Sequence, residues 1–221
     1  TTDVDTGDAF SYTLVSGTGS ADNAAFAIVG GQLTSAASYN YELKNSYSVR
    51  VRSTDAGGLF TEKAFTISVA DVNEAPTALD LLGATASVTE NTDTASRIKV
   101  ADILVTDDAL GTNTLTLTGV DAASFEIDGT ALYLKAATSL NYEAKASYDV
   151  TVNARDSTVA SSSTLSVSYT LSVTNTNESP TDLAISASTV AENSAIGTVV
   201  GMFSTTDVDT GDAFSYTLVS G

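Results

Sequence analysis

The chain has 221 residues with 27 acidic and 9 basic side chains, a formal net charge of −18, and neither histidine nor cysteine. Nucleic acid and anionic membranes are excluded as expected partners, since both attract basic surfaces. Disulfides, thiolate metal sites, Ser-His-Asp triads and cysteine nucleophiles are excluded by composition, and we predict a protein that is not an enzyme.

A long internal repeat organises the chain. Residues 1–17, TTDVDTGDAFSYTLVSG, recur without a change as residues 205–221. This identity predicts that the chain is a window of a longer tandem array. A weaker repeat of about 100 residues lies inside it, in which Asn40-Tyr41-Glu42 matches Asn141-Tyr142-Glu143, and Thr89-Glu90-Asn91 matches Ala191-Glu192-Asn193.

Apolar residues alternate with polar ones in the segments between the repeated motifs. A period of two predicts strands with one buried and one solvated face. Many short strands without an amphipathic helix predict an all-β fold, a tandem Greek-key β-sandwich of the immunoglobulin type. The alternation covers residues 47–51, 65–69, 148–152 and 165–173.

Two β-hairpins are predicted at equivalent places in the weaker repeat, over residues 26–33 and 125–132. The first contains Gly30-Gly31 and the second Asp128-Gly129. Such pairs supply the positive φ angles that tight hairpin turns require.

Two prolines, Pro76 and Pro180, are the only ones in the chain and occupy equivalent places. Proline fixes φ and cannot continue a strand ladder, so each proline segment is predicted to be a stiff linker between domains. Three pieces follow: residues 1–73, a unit without its first strands; residues 74–177, a complete unit; and residues 178–221, the first strands of a third.

The linkers are rich in side-chain oxygens. The first reads Asp71-Val72-Asn73-Glu74-Ala75-Pro76 and the second Asn175-Thr176-Asn177-Glu178-Ser179-Pro180. Ca²⁺ prefers such hard oxygen ligands and takes about six to eight of them. The linkers therefore predict calcium sites, with turns and solvated acids as the alternative reading of the same residues.

Taken in order along the whole chain, the acidic motifs resemble those of the cadherin repeat. The Asp-x-Asp motif of that family is intact at Asp3-Val4-Asp5 and Asp207-Val208-Asp209. Its late aspartate matches Asp55 and Asp156. The low lysine content and the near-identical long repeats look more like the cadherin-like repeats of bacterial secreted or surface adhesins than like animal cadherins.

The resemblance implies Ca²⁺ at both junctions, bound by one domain, the linker and the next domain together. Asn175 and Ala109 stand where the family has aspartates, so we expect fewer ions or weaker sites than in a full family member. The ligands implied for the first junction are Glu42, Asp71, Asn73, Glu74, Asp107 and Asp156. Those implied for the second are Glu90, Glu143, Asn175, Asn177, Glu178, Asp207 and Asp209.

The function that the resemblance implies is an extracellular or cell-surface spacer, stiffened by calcium, in a cell-adhesion protein. A polysaccharide-binding module on the same sandwich is the alternative; it is disfavoured because tryptophan is absent and most aromatic residues follow the strand alternation. The expected partners are calcium and neighbouring repeats. The two partial units are also expected to associate head-to-tail between molecules, because each leaves open strand edges.

Overall fold

A computed structural model describes residues 1–2 and 9–220. The motif Asp3-Val4-Asp5 lies outside the described residues. Contacts group the chain into two compact units, residues 1–74 with 108–111, and residues 75–107 with 112–221. The division into three repeats at residues 73 and 177 stays a prediction, and each compact unit is described by itself.

The first unit contains a three-stranded antiparallel sheet and a separate hairpin. The sheet has the order β1-β4-β5, and β2 pairs with β3. Phe26, Tyr39 and Tyr47 pack together with ring centroids 5.0 to 6.0 Å apart. The strands are β1 (Ser11–Leu14), β2 (Phe26–Val29), β3 (Gln32–Ser35), β4 (Ser46–Thr54) and β5 (Phe60–Ser68), with a 3₁₀ turn at Asn23–Ala25.

The second unit contains a sandwich of two four-stranded sheets and a separate two-stranded antiparallel sheet. One sheet has the order β10-β11-β8-β6 and the other β7-β13-β12-β9, in which β7 runs parallel to β13. β14 pairs with β15. The strands are β6 (Ala78–Leu82), β7 (Ser87–Thr89), β8 (Ile98–Thr106), β9 (Asn113–Thr118), β10 (Phe125–Asp128), β11 (Ala131–Leu134), β12 (Ser147–Asp156), β13 (Leu165–Thr174), β14 (Asp182–Ile185) and β15 (Phe203–Thr206).

The core of the sandwich lies between its two sheets. Period-two alternation sends every second side chain of each strand inward, so both sheets contribute to one cluster. The tyrosine hydroxyls in this core bond to carbonyl oxygens, Tyr148 to Ser139 at 2.5 Å and Tyr169 to Thr85 at 2.6 Å. The cluster consists of Val100, Ala101, Ile103, Phe125, Leu132, Leu134, Leu140, Tyr148, Val150, Val152, Tyr169, Leu171 and Val173.

The all-β prediction is confirmed, and the helical elements of the described part are two 3₁₀ turns, Asn23–Ala25 and Ala122–Ser124. Both predicted hairpins are present. In the first, Gly30 and Gly31 form the loop with φ of 57° and 80°. In the second, the loop is one residue later than the predicted pair, because Asp128 still pairs with Ala131 and the loop is Gly129-Thr130. Gly129 alone has a positive φ there, 58°, which is the pattern of a type II′ turn.

A truncation in this core tests the packing. Leu171 is fully buried in β13, whereas Leu104 on β8 is 45% exposed. Leu171→Ala is expected to lower the free energy of unfolding by about 2–5 kcal/mol, because it removes buried methyl groups and leaves a cavity. Leu104→Ala, the matched control, is expected to cost less than about 1 kcal/mol. Urea denaturation measures both, and equal losses would contradict the assignment of the core.

Candidate metal centre

Three glutamates distant in the sequence meet at one end of the sandwich. Glu90 follows β7, Glu143 lies in the turn before β12, and Glu178 lies in the segment after β13. One carboxylate oxygen from each lies within 4.8 Å of the other two. The structure therefore brings together three residues that the sequence assigned to the second junction.

Glu90 is held in place by backbone groups. Its side chain is 3% exposed; Tyr142 donates its backbone N–H to Oε2 at 2.8 Å, and Thr176 donates its own to Oε1 at 2.6 Å. Asn91 follows with φ of 57°, a left-handed conformation that asparagine tolerates better than most residues. This geometry explains the Glu-Asn pair, since the glutamate joins two segments and the asparagine turns the chain.

Glu178 connects this group to a second acidic group. Its backbone N–H donates to Asp209 Oδ2 at 2.7 Å, and its Oε1 accepts from the Asn91 side-chain amide at 2.7 Å. Its Oε2 is buried and has no hydrogen-bond partner among the described residues. A buried carboxylate oxygen without a donor is unfavourable unless a proton or a cation satisfies it.

The second acidic group follows β15. Oxygens of Asp207, Asp209 and Asp212 lie within 4.8 Å of one another. Asp209 is buried, and it donates its N–H to Asp207 Oδ1 at 3.1 Å. Asp207 Oδ2 is buried and, in the part of the chain described, accepts no hydrogen bond.

Burial and neighbouring charge act on Glu178 together. Burial is the larger cause that raises the pKa of its carboxyl, and the charges of Glu90, Asp209 and Glu143 raise the pKa further. The hydrogen bond from Asn91 acts in the opposite direction. The site therefore disfavours a third bare negative charge in the absence of a cation.

The first unit holds a related group. Oxygens of Glu42, Asp71 and Glu74 lie within 4.8 Å of one another. The Glu74 N–H donates to Asp108 Oδ2 at 2.8 Å, as the Glu178 N–H donates to Asp209 in the second unit. Burial raises the pKa of Glu74, and a hydrogen bond with Asp108 and the charges of Glu42, Asp108 and Asp71 add to the shift.

Asp108 is a residue that the sequence analysis missed. In a gapless alignment Ala109 occupies the place of Asp209, which suggested that the second aspartate of the motif is absent. The structure shows Asp108 accepting the linker N–H instead, and Ala109 next to it has φ of 70°. The sequence signal that could have identified it is the aspartate directly before Ala109.

Of the three remaining residues assigned to the first junction, Asn73 lies in the first unit, whereas Asp107 and Asp156 lie in the second unit. Asp107 Oδ2 accepts from the Asn113 side-chain amide at 2.6 Å, and Asn113 is the β9 partner of Asp156 on β12. Asp156 is fully buried, and its Oδ1 accepts from the N–H and hydroxyl of Thr158 at 2.7 and 2.6 Å. That Asp107 and Asp156 share one site with Glu42, Asp71, Asn73 and Glu74 stays a prediction.

The asparagines have structural roles of their own. Asn40 Oδ1 accepts the Leu43 N–H at 2.7 Å, and Asn141 Oδ1 accepts the Ala144 N–H at 2.6 Å. These bonds fix the turns that carry Glu42 and Glu143. Asn175 and Asn177 have exposed side chains in the second linker, and their roles as ligands stay predictions.

Basic side chains neutralise other acids. Lys145 forms a salt bridge with Asp121 at 2.9 Å. Arg50 and Arg52 form salt bridges with Glu62 at 2.9 and 2.5 Å. The hydrogen bond from the Asp149 backbone N–H lowers the pKa of Asp121, and the hydrogen bond from Lys145 lowers it further. Among the described residues, no lysine or arginine forms a salt bridge with the nine carboxylates of the three acidic groups.

The donor set fits a hard divalent cation. Carboxylate oxygens converge, histidine and cysteine are absent from the composition, and two buried oxygens of Glu178 and Asp207 lack donors among the described residues. Ca²⁺ accepts such oxygens with variable number and geometry, whereas Mg²⁺ requires a near-octahedral set. The residues of the second unit that would hold it are Glu90, Glu143, Glu178, Asp207, Asp209 and Asp212.

Known proteins are similar to this chain in sequence or in fold. No protein-family model matches the chain. Human protocadherin Fat 4 is 28% identical over 188 residues, which cover 82% of this chain and 4% of Fat 4. The chain therefore spans a small part of that relative.

Solved structures show the same fold. Protocadherin gamma B2 extracellular cadherin domains 1–5 superpose with a TM-score of 0.70 at 20% identity, over 91% of this chain and 39% of that one. A protocadherin gamma B7 cis-dimer structure, domains EC3–6, gives 0.68 at 22% identity, over 91% and 49%. The chain therefore has a cadherin-like β-sandwich fold.

In the part of the chain that the structure describes, no helix has the length and hydropathy needed to cross a membrane.

The raised pKa of Glu178 predicts a pH dependence without divalent ions. A carboxyl whose pKa is higher in the folded state stabilises that state at low pH, and this stability is lost as pH rises through the raised value. In EDTA, Glu178→Gln is therefore expected to raise the melting temperature at neutral pH. The gain should shrink below about pH 4, where the wild-type carboxyl is protonated in both states.

The matched control is Glu126→Gln, which removes a carboxylate paired with Arg97 at 3.0 Å. It should not raise the melting temperature at neutral pH. Thermal unfolding followed by circular dichroism measures both variants, and a Glu178→Gln variant without a gain in EDTA would contradict the proposed repulsion.

Proposed function

We propose that this chain is a calcium-binding, calcium-stiffened extracellular segment of a cell-adhesion protein and acts as a spacer. The observation that carries the proposal is the meeting of Glu90, Glu143 and Glu178 within 4.8 Å without a basic partner among the described residues. Glu90 and Glu143 belong to the sandwich and Glu178 to the second linker, so a single ion bound by all three would join the linker to the sandwich. The parent protein is a surface adhesin built from tandem repeats.

A bound cation would neutralise the carboxylates, whose oxygens would coordinate it. No covalent bond is made or broken. Glu90 is oriented by two backbone N–H groups, so its position does not depend on the ion. Glu178 and the aspartates after β15 belong to the segment that follows the complete repeat. Coordination by both sets holds this segment against the sandwich, which is the mechanical property that a spacer requires.

The size of the effect follows from linkage. An ion that binds only the folded state stabilises it by about 1.4 kcal/mol at ten times its dissociation constant. Extracellular modules bind Ca²⁺ with dissociation constants of about 10⁻⁴ to 10⁻³ M. Millimolar calcium is therefore sufficient to stabilise the fold measurably.

Calcium is expected to raise the melting temperature at millimolar concentration, and equal Mg²⁺ is expected to raise it less. Glu143→Gln should reduce the calcium-induced rise, because Glu143 is exposed and contributes to the acidic group rather than to the core. Glu126→Gln, on the Arg97 ion pair, should leave the rise unchanged. Calorimetric titration with Ca²⁺ should show weaker binding by Glu143→Gln than by the wild type or Glu126→Gln. Identical melting temperatures of the wild type in calcium and in EDTA would exclude the calcium function.

Stiffening can be measured separately from binding. The chain has no cysteine, so Thr116→Cys on β9 and Ser204→Cys on β15 provide two unique sites for spin labels. Calcium should narrow the distance distribution between the labels, measured by pulsed electron resonance in an excess of unlabelled chain. Replacing Glu143 and Asp207 by alanine should prevent the narrowing; a width that calcium does not change would exclude the spacer mechanism.

The polysaccharide-binding alternative stays a prediction with less support. Several aromatic rings are engaged in packing, such as Phe26 against Tyr39 and Phe125 against Tyr169. Glycan-array binding by the chain would favour this alternative over a spacer.

A further inference from the structure

The sheet β7-β13-β12-β9 has an outer face of small polar side chains. Val150 and Val152 of β12 enter the core, so Thr151, Asn153 and Arg155 lie on the opposite face of the sheet. Threonines of β9 and serines of β13 pair with this part of β12 on either side. The outer face therefore offers hydroxyl groups around a single guanidinium.

A cleft of about 240 Å³ opens on this face beside Arg155. Its lining offers several hydroxyl groups, one side-chain amide and one guanidinium. Among the described residues, no carboxylate and no aromatic ring lines it. The polar lining residues are Thr114, Thr116, Asn153, Arg155, Ser157 and Thr164.

Asn153 holds side chains of the neighbouring strands in position beside the cleft. It is only 9% exposed. Its amide donates to Thr118 Oγ1 at 3.0 Å, and its Oδ1 accepts from the Ser166 hydroxyl at 2.7 Å. These bonds connect all three strands, so the cleft is formed before any ligand enters and a ligand does not have to order it.

Arg155 is exposed, and among the described residues its guanidinium forms no salt bridge and no cation–π contact. The other eight of the nine basic side chains each contact a carboxylate, an aromatic ring or a carbonyl oxygen. With 27 acidic residues in the chain, a shortage of carboxylates does not explain the exception.

The first unit shows how the equivalent face uses arginine. Arg50 and Arg52 on β4 both form salt bridges with Glu62 on β5, at 2.9 and 2.5 Å. Arg52 and Glu62 are cross-strand partners, and the equivalent pair on β12 and β13 is Asn153 and Ser166. The sandwich thus has a hydroxyl where the first unit has a carboxylate, yet it keeps an arginine on this face.

We propose that this cleft binds an acidic sugar, a uronic acid unit of a glycan, with its carboxylate on the Arg155 guanidinium. A guanidinium binds a carboxylate through two parallel N–H···O bonds. The surrounding hydroxyls and the Asn153 amide lie where they would face the ring hydroxyls of the sugar. A volume of about 240 Å³ suits one sugar unit rather than a larger ligand.

The lining favours a sugar over an acidic side chain of another protein. An aspartate or glutamate would occupy the guanidinium but would offer nothing to the hydroxyls of Thr114, Thr116 and Thr164. The net charge of −18 also repels a densely acidic protein segment. The proposal gives the polysaccharide-binding alternative a specific site and sugar class, and it does not depend on calcium.

Titration of the full chain with sodium glucuronate, followed by ¹⁵N–¹H NMR in EDTA, tests the proposal. EDTA removes bound calcium, which could otherwise hold the sugar carboxylate itself. Glucuronate should shift the resonances of Thr116, Ser157 and the Arg155 Nε–H, with a dissociation constant of about 1 mM. Glucose, which lacks the carboxylate, and acetate, which lacks the ring hydroxyls, should each bind at least about tenfold more weakly at equal ionic strength.

Substitutions locate the site. Arg155→Gln should weaken glucuronate binding at least about tenfold. Lys99→Gln is the matched control, because it removes an equal charge from β8 of the other sheet, where Lys99 pairs with Asp102; it should bind as the wild type does. A dispersed spectrum of each variant shows that it is folded.

A second variant supplies the missing carboxylate within the chain. Thr164 directly precedes β13 and lines the cleft with Arg155. Thr164→Glu should therefore block glucuronate by pairing with Arg155, as Glu62 pairs with Arg52 in the first unit. Thr164→Gln, which has the same size but no charge, should weaken binding less.

No shift of the cleft resonances at glucuronate concentrations up to about 50 mM would overturn the proposal. Binding that is unchanged in Arg155→Gln would also overturn it, and so would acetate or free glutamate binding as tightly as glucuronate. Binding of neutral sugars alone would overturn this site but leave the polysaccharide-binding alternative standing. Failure of the calcium function would appear in the melting experiments and would not change these titrations in EDTA.

Discussion

Repulsion between carboxylates is the constraint on which the acidic end of this sandwich depends. Glu90, Glu143 and Glu178 place oxygens within 4.8 Å of one another, and no lysine or arginine of the described part forms a salt bridge with them. The fold does not avoid the repulsion, because backbone N–H groups of Tyr142 and Thr176 hold Glu90 in position. A group built this way gains stability when a cation supplies the missing positive charge.

The apolar core stabilises the fold enough to offset the repulsion between these carboxylates. β7 runs parallel to β13 for three residues, which places Glu90 beside the start of the second linker. The fully buried Leu132, Val152 and Leu171 lie between the sheets and contribute stability that the acidic end reduces in the absence of an ion. Packing therefore fixes the positions of the carboxylates, to which the proposed cation would couple the linker. The acidic groups lie at the ends of strands and in linkers, where oxygen donors meet.

The sequence by itself determined the all-β class, the presence of both hairpins and the identity of most residues in the three acidic groups. Period-two alternation, glycine turns and repeated motifs are local signals, which is why they could be found without the structure. Only the tertiary structure decided which acids meet. Asp121 pairs with Lys145. Asp212 lies in an acidic group, and Asp108 and Asn91 form hydrogen bonds with Glu74 and Glu178; these three residues were not predicted to take part. The physical reason is that a ligand's position depends on strand register and on turn dihedrals such as φ of 70° at Ala109, which are set by long-range pairing rather than by neighbouring residues.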